Sequence, residues 1–425
     1  IGRAFVTYLK VSEVIVGHDM RLSGPAIFDA VTRGIIDQGA DVIEIGLVST
    51  DQFYYACAQL GLPGMMVTAS HNPKEYNGFK IVLGGQTLAA ETIQALRLRI
   101  ENNDLTDGAG NYSKHAIADA YRTRITGDVK LARPLKIVVD CGNGVAGAYA
   151  PALYRELGCQ VSELFCDVDG NFPNHHPDPS VPENLNDVIQ ALKTSDAEIG
   201  LAFDGDGDRL GIVTKDGHII NADRQLMLFA ADVLSRNPGA KIIFDVKCTR
   251  NLAPWIRQHG GTPVMWKTGH SFIKSKLIEE KALLAGEMSG HLFFKERWYG
   301  FDDGLYAGAR LLELLSRVQD ISATLNNLPD SLNTPELQVR TAEGENHALI
   351  VQLQKNAVFD NPQQVITTDG LRVEYPDGFG LARASNTTPV VVLRFEADND
   401  AALKRIQEDF RRNILQAKPD AQLPF

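Results

Sequence analysis

The sequence lacks the features that would place it in a membrane, in an oxidising compartment or on a nucleic acid. No apolar run approaches the roughly 20 residues that cross a bilayer, and no secretory signal opens the chain. The 5 cysteines, at positions 57, 141, 159, 166 and 248, are odd in number, irregularly spaced and without a CxxC pair. That excludes a disulfide framework and a thiolate zinc site, and it fits reduced thiols in the cytoplasm. Positive charge is in deficit: 42 lysines and arginines against 53 acidic residues leave a formal net charge of -11. Such a balance argues against a nucleic-acid or anionic-membrane partner, while local basic residues can still gather a phosphate-bearing substrate. With 44% hydrophobic and 22% charged residues the composition is that of an ordinary globular protein, which excludes disorder. The chain opens on Ile1 without a methionine, and Ile1 to Leu9 reads as the later part of a helix, so residues upstream are expected.

A length of 425 residues exceeds one compact core and implies roughly three or four domains. Strand and helix patterns alternate from SEVIVGHD onward, the signature of α/β structure. The expected units are residues 1–115, 116–221 and 222–330, each α/β, followed by 331–425. In that last unit alternating apolar and polar segments with hairpin turns predict an antiparallel sheet within an α+β domain. Each α/β unit sends a polar loop off a strand end, at Ser70, Asp204 and Glu287, and these loops would converge if the units pack around one cleft.

In VTASHNP, Val67 to Pro73, an apolar run ends in small and polar residues and a proline stops regular structure. A serine displayed in this way keeps its oxygen open to a cleft. DGDGDR, Asp204 to Arg209, alternates carboxylates with glycines that let the backbone curl, placing several hard oxygens around one small cation such as Mg2+. An EF-hand loop would need glycine and glutamate where this chain has Arg209 and Lys215, so calcium binding of that kind is excluded. AGEMSGH presents Glu287, Ser289 and His291 at alternate positions, suited to neighbouring sugar hydroxyls and to carrying a proton. RASNTTP, Arg383 to Pro389, offers a guanidinium, hydroxyls and an amide to a dianionic phosphate. Four other features read as structural. Asp19 and Arg21 end the first strand as a turn pair with a solvated arginine, the His175–His176 pair sits in a proline-rich surface loop, and Lys247 and His270 follow two strands of the third unit.

With TASHNP, DGDGDR, GEMSGH and RASNTTP in this order, the sequence resembles the α-D-phosphohexomutase family over nearly its whole length. Within that family it is most similar to the phosphomannomutase/phosphoglucomutase branch; the phosphoglucosamine branch more often has glutamine where Met288 stands. The resemblance implies three related α/β domains and a different C-terminal one around a central active-site cleft. It also implies interconversion of hexose 6-phosphates and hexose 1-phosphates, of mannose and glucose, through a phosphoserine and a hexose 1,6-bisphosphate. Ser70 would carry the phosphoryl group, with Mg2+ on Asp204, Asp206, Asp208 and a phosphoserine oxygen, and Arg209 beside that phosphate. Lys80 and His291 would be the acid/base groups. Glu287 and Ser289 would bind the sugar, and Lys247, His270 and His291 would line the cleft. Arg383, Ser385, Asn386 and Thr387 would hold the non-reacting phosphate. Glucose 1,6-bisphosphate is the implied activator and a cytoplasmic monomer the implied state. The chain departs from the family's pattern in two places: an AYDIRG-like segment is absent, and Asp51 in STDQFYYA stands where proline is common, altering a turn. Two other functions stay open, a metal-dependent sugar-phosphate phosphatase and a non-catalytic phosphosugar-binding protein.

Overall fold

The computed structural model describes residues 1–83, 86–87, 91–386 and 388–425. Its first three sheets share one plan. A central strand has a parallel neighbour on each side, and an antiparallel strand then folds back on one of those neighbours. In the first sheet the centre is Glu13–His18, parallel to Asp41–Leu47 and Gly64–Val67, with Phe79–Leu83 antiparallel to Gly64–Val67. In the second, Lys136–Asp140 lies between Gln160–Leu164 and Ile199–Phe203, and Leu210–Thr214 returns along Ile199–Phe203. In the third, Lys241–Asp245 lies between Thr262–Trp266 and Leu284–Gly286, and Leu292–Phe294 returns. The loops bearing Ser70, Asp204 and Glu287 therefore occupy one topological place in three units, the connection between the second outer strand and the returning one.

The inner strands of these sheets are apolar, as expected where both faces are covered. Ile199–Phe203 and Leu210–Thr214 are buried at every residue. One hydrophobic core runs from Ile15 through Ile137 and Leu201 to Leu325, so the three units are fused. The fourth has its own core under the helices Glu345–Asn356 and Asp400–Ala417. Its main sheet is antiparallel, built on Leu371–Tyr375, Gly378–Ala384 and Val390–Ala397. It meets the third unit through the small cluster of Val246, Phe379 and Leu381, and Arg372 lies across that joint. Its guanidinium donates to the carbonyls of Val246 and Cys248 at 2.6 and 2.7 Å and covers the Phe379 ring at 3.6 Å. A separate core, joined through a small apolar cluster and polar contacts, is the construction of a distinct domain. No helix among the described residues is long and apolar enough to cross a membrane.

One element escapes the sequence pattern. STDQFYYA is not a turn but the start of the helix Thr50–Leu60. Ser49 and Gln52 form a reciprocal capping box at its N-terminus, and Gly61 closes it in the left-handed region at φ 67°. Asp51 is in the first helical turn and fully buried.

Candidate active site

Ser70 sits in the left-handed region at φ 50°, costly for a serine, so the surrounding contacts must hold it there. Its Oγ donates to Asp204 Oδ2 at 2.7 Å and lies 3.1 Å from His71 Nδ1. Its amide donates to Thr68 Oγ1 at 3.0 Å, and Thr68 in turn donates to Asp19 Oδ2 at 2.7 Å. The same loop is gripped by Arg21, which corrects the expectation of a solvated arginine. Arg21 is buried, and its guanidinium donates to the carbonyls of Ser70 and Asn72 at 2.6 Å and of Pro73 and Tyr76 at 2.8 Å. The cause is register. His18 pairs with Val67, so residues just beyond these two parallel strands, Asp19–Arg21 and Thr68–Ser70, are neighbours.

Asp204, Asp206 and Asp208 are fully buried, and one oxygen from each lies within 4.8 Å of the others. Close packing demands their glycines: a Cβ on Gly205 would stand 2.5 Å from the Ser70 carbonyl oxygen, and Gly207 has φ 88°. Lys80 Nζ bonds Asp206 at 2.7 Å and Asp208 at 2.5 Å. Burial opposes the charge on Lys80, but Asp206 and Asp208 override it and hold the ammonium well above the ordinary lysine value. Burial likewise opposes the charge on Asp208, yet Lys80 and His291 keep it well below the ordinary range. Asp204 is left with the deficit: burial, then Asp208 and Asp206, push it well above the usual aspartate value. One carboxylate too many, with Asp206 Oδ1 buried and without a hydrogen-bond partner, is a donor set that fits a small divalent cation.

The GEMSGH residues reach this cluster directly. Arg209 and His291 form an antiparallel bridge between the two loops, with Arg209 Nε 3.3 Å from His291 Nε2. His291 Nδ1 is 3.0 Å from both Glu287 Oε2 and Ser289 Oγ, and its Nε2 is 3.3 Å from Asp208 Oδ1. Burial and Arg209 work against the imidazolium, but Asp208 and Glu287 prevail and raise its pKa to about 9. His71 goes the other way: the Arg209 charge, then burial, lower it to about 3, so it is a neutral neighbour of Ser70. Glu287 also accepts from the Gly269 amide at 2.5 Å, which fixes the turn carrying His270.

The remaining predicted residues lie at the joint with the fourth unit. Lys247 Nζ pairs with Glu336 at 2.5 Å. Arg383 Nε donates to Asp369 Oδ2 at 2.9 Å, and that oxygen also accepts from the Thr268 amide at 3.0 Å, tying the two units together. Ser385 is half-buried with its carbonyl on Asn346 Nδ2 at 3.0 Å, and Asn386 is exposed. Thr387 lies outside the described residues. His175 is not in the cleft; it is half-buried and pairs with Asp140 at 3.1 Å, while His176 is exposed.

Four family models match in succession: phosphoglucomutase/phosphomannomutase alpha/beta/alpha domain I over residues 1–107, domain II over 112–217, domain III over 221–332 and the C-terminal domain over 336–413. The chain belongs to the phosphoglucomutase/phosphomannomutase family. Among its phosphohexomutase relatives, a phosphoglucomutase of Neisseria meningitidis is 57% identical over 100% of this chain and 94% of its own. A phosphomannomutase/phosphoglucomutase of Pseudomonas aeruginosa is 55% identical over 97% of this chain and 89% of its own. A crystal structure of a family member from Burkholderia thailandensis superposes with a TM-score of 0.95 at 60% identity, covering 100% of this chain and 94% of that one. The phosphatase and non-catalytic alternatives find no support in these phosphohexomutase relatives.

Sequence analysis missed Arg21, Thr50 and Asp369. Thr50 and Thr68 each place a hydroxyl on Asp206 Oδ2, at 2.6 and 3.2 Å, linking the DGDGDR loop to the serine loop. Asp51, expected only to alter a turn, instead meets Asp303 in a fully buried carboxyl pair behind the metal loop. Tyr121 Oη bridges the two at 3.2 and 2.8 Å. Burial raises both, Asp303 to about 6 and Asp51 well above the ordinary value with Asp303 adding to the effect. The folded protein therefore keeps a proton that the unfolded chain releases above pH 3.8, so this pair loses stability as pH rises from there through about 6. Asp51→Asn is expected to stabilise the fold at pH 8 by on the order of 1–2 kcal/mol, so raising the Tm there, and to flatten the decline. Thermal unfolding followed from pH 5 to 8 checks it; parallel curves for the two proteins would contradict a shared proton.

Proposed function

We propose that this phosphohexomutase interconverts the 6-phosphates and 1-phosphates of mannose and glucose through a phosphorylated Ser70 and a hexose 1,6-bisphosphate. The observation that carries the reading is the placement of Ser70 Oγ 2.7 Å from the buried aspartate cluster, beside Lys80, Arg209 and His291. In the forward step a sugar hydroxyl oxygen bonds to the phosphorus on Ser70 as the P–Oγ bond breaks; an acid protonates the departing Oγ, and the hydroxyl proton then refills that acid. The bisphosphate turns over, and Ser70 Oγ gives up its proton and takes the phosphoryl group from the other end while the same proton carriers protonate the departing sugar oxygen. Lys80 and His291 are the proton carriers; His291, held protonated by Asp208 and Glu287, starts as the acid. Arg209 lies against the transferring phosphoryl group. Asp204, Asp206, Asp208 and a phosphoserine oxygen would hold Mg2+, which when bound neutralises charge on that group. Glucose 1,6-bisphosphate would restore the phosphate when Ser70 loses it.

Glu287 and Ser289 take the sugar hydroxyls, with Lys247 and His270 on the cleft wall. Arg383, Ser385, Asn386 and Thr387 hold whichever phosphate is not reacting, which is why the clamp sits on a unit with its own core. Arg383→Ala is expected to weaken hexose-phosphate binding by about 1.5–3 kcal/mol, the scale of a hydrogen bond to a charged group. Unchanged affinity in calorimetry would remove the clamp from this residue. All these groups come from one chain, which supports a monomer, and five free cysteines support the cytoplasm. The deciding assay supplies mannose 6-phosphate, Mg2+ and a trace of glucose 1,6-bisphosphate. Mannose 1-phosphate without inorganic phosphate is expected; inorganic phosphate alone would overturn the proposal in favour of a phosphatase.

A further inference from the structure

Arg383 is braced by a residue whose charge has the same sign as a phosphate. The pairing of Leu371 with Ala382 sets the turn just before Leu371, Asp369 and Gly370, beside Arg383. The approach is close: Gly370 has φ 84°, and a Cβ on it would stand 2.6 Å from the Arg383 Cβ. The helix Glu345–Asn356 pins this turn through Gln354 Nε2, which donates to the Gly370 carbonyl at 2.6 Å. Half-buried Asp369 then accepts from Arg383 Nε at 2.9 Å. A bond at Nε fixes the guanidinium plane and does not use the Nη1–Nη2 edge, which can meet two oxygens of a phosphate at once. The same carboxylate oxygen accepts from the Thr268 amide at 3.0 Å, across the joint with the third unit. On its other side the Thr268–Gly269 turn is tied to GEMSGH. Thr268 Oγ1 donates to Asp245 Oδ2 at 2.8 Å, and Asp245 Oδ1 accepts from the Met288 amide at 3.2 Å. The Gly269 amide donates to Glu287 Oε1 at 2.5 Å. One line of bonded residues thus runs from Arg383 to Glu287 through Asp369 and the Thr268–Gly269 turn.

We propose that Asp369 is a positioning residue: it aims Arg383 at the non-reacting phosphate and sets the spacing between that phosphate and Glu287, which takes the sugar hydroxyls. This rests on the roles given to Arg383 and Glu287 under the proposed function. A hexose phosphate holds its phosphate and its ring hydroxyls at a limited range of separations. A clamp free to swing would bind the phosphate without presenting the far hydroxyl to Ser70, and a misplacement of about 1 Å is costly to such a reaction. Charge alone predicts the opposite effect. An anion beside the clamp repels a dianionic substrate, so removing it would tighten binding if Asp369 did nothing else. The sign of the change therefore separates aiming from electrostatics.

The test measures mannose 6-phosphate binding by calorimetry, and steady-state turnover, on the full chain carrying Asp369→Ala, Asp369→Asn, Arg383→Ala or both alanines together. Asp369→Ala is expected to weaken binding by about tenfold and to lower kcat/KM by at least as much. Asp369→Asn keeps one oxygen that can accept both bonds, so it should recover most of the loss. In the Arg383→Ala background Asp369→Ala should change binding by less than about twofold, because the residue acts through that guanidinium. Circular dichroism establishes folding. Asp369→Glu, which keeps the charge but displaces the acceptor, should also weaken binding, and it carries the test if the alanine variant does not fold. An Asp369→Ala protein that binds as tightly as the wild type or more tightly, or one that loses as much without Arg383 as with it, would overturn the positioning role. The failures are distinguishable: unchanged binding in Arg383→Ala would remove the clamp and this proposal with it, whereas loss there with none in Asp369→Ala removes this proposal alone.

Discussion

Ser70→Ala is expected to abolish interconversion of mannose 6-phosphate and mannose 1-phosphate, by at least about three orders of magnitude in kcat. The alanine has no oxygen to bond phosphorus. Thr68, two residues back, is committed to Asp19 and Asp206 at 2.7 and 3.2 Å and accepts from the Ser70 amide. Fold and stability should survive, because Ser70 Oγ contributes only its bonds to Asp204 and His71. Binding of hexose phosphate should survive as well, since the sugar loop and the clamp are untouched. A variant that still binds substrate but does not turn it over separates the nucleophile from the pocket. An alanine variant with wild-type kcat would remove Ser70 from the chemistry.

Arg21→Ala has the next largest expected effect, and it falls on a buried residue behind the serine loop. Its guanidinium is the donor for four backbone carbonyls of the serine loop, those of Ser70, Asn72, Pro73 and Tyr76. Removing it strands those acceptors and leaves Asp19, 3.5 Å away and buried, without its counter-charge. Loss of one partner from a buried pair costs about 3–5 kcal/mol. Ser70 at φ 50° then has nothing to hold it, so kcat should fall steeply while hexose-phosphate affinity, set elsewhere, changes little. Arg21→Lys should recover part of the stability and little of the rate, because one ammonium cannot reach four carbonyls in a plane. Thermal unfolding and steady-state kinetics on both variants check this; an Arg21→Ala protein with normal kcat would contradict a positioning role.

The contrast between these two residues shows what was legible beforehand. Ser70, the aspartates of DGDGDR, the GEMSGH residues and Arg383 announce themselves because their chemistry and spacing lie within single loops. The repeated α/β pattern was legible for the same reason, as apolar periodicity is local. Arg21 was not, because its role depends on the parallel register that sets His18 against Val67, a pairing between segments about fifty residues apart. Asp51 was misread as a turn residue because the capping box of Ser49 and Gln52 is a helix start that its apolar neighbours do not advertise. Nor could sequence show that Asp302 faces His270 as Asp208 faces His291, since Asp302 lies in a segment without motif.

The most direct test of the central claim is the mass of the intact protein after brief exposure to glucose 1,6-bisphosphate, and again after a chase with mannose 6-phosphate. One phosphoryl group is expected on Ser70, and the chase should hand it to the sugar, which appears as mannose 1,6-bisphosphate. A protein that shows no adduct on Ser70, or an adduct that the sugar cannot discharge, would contradict the account.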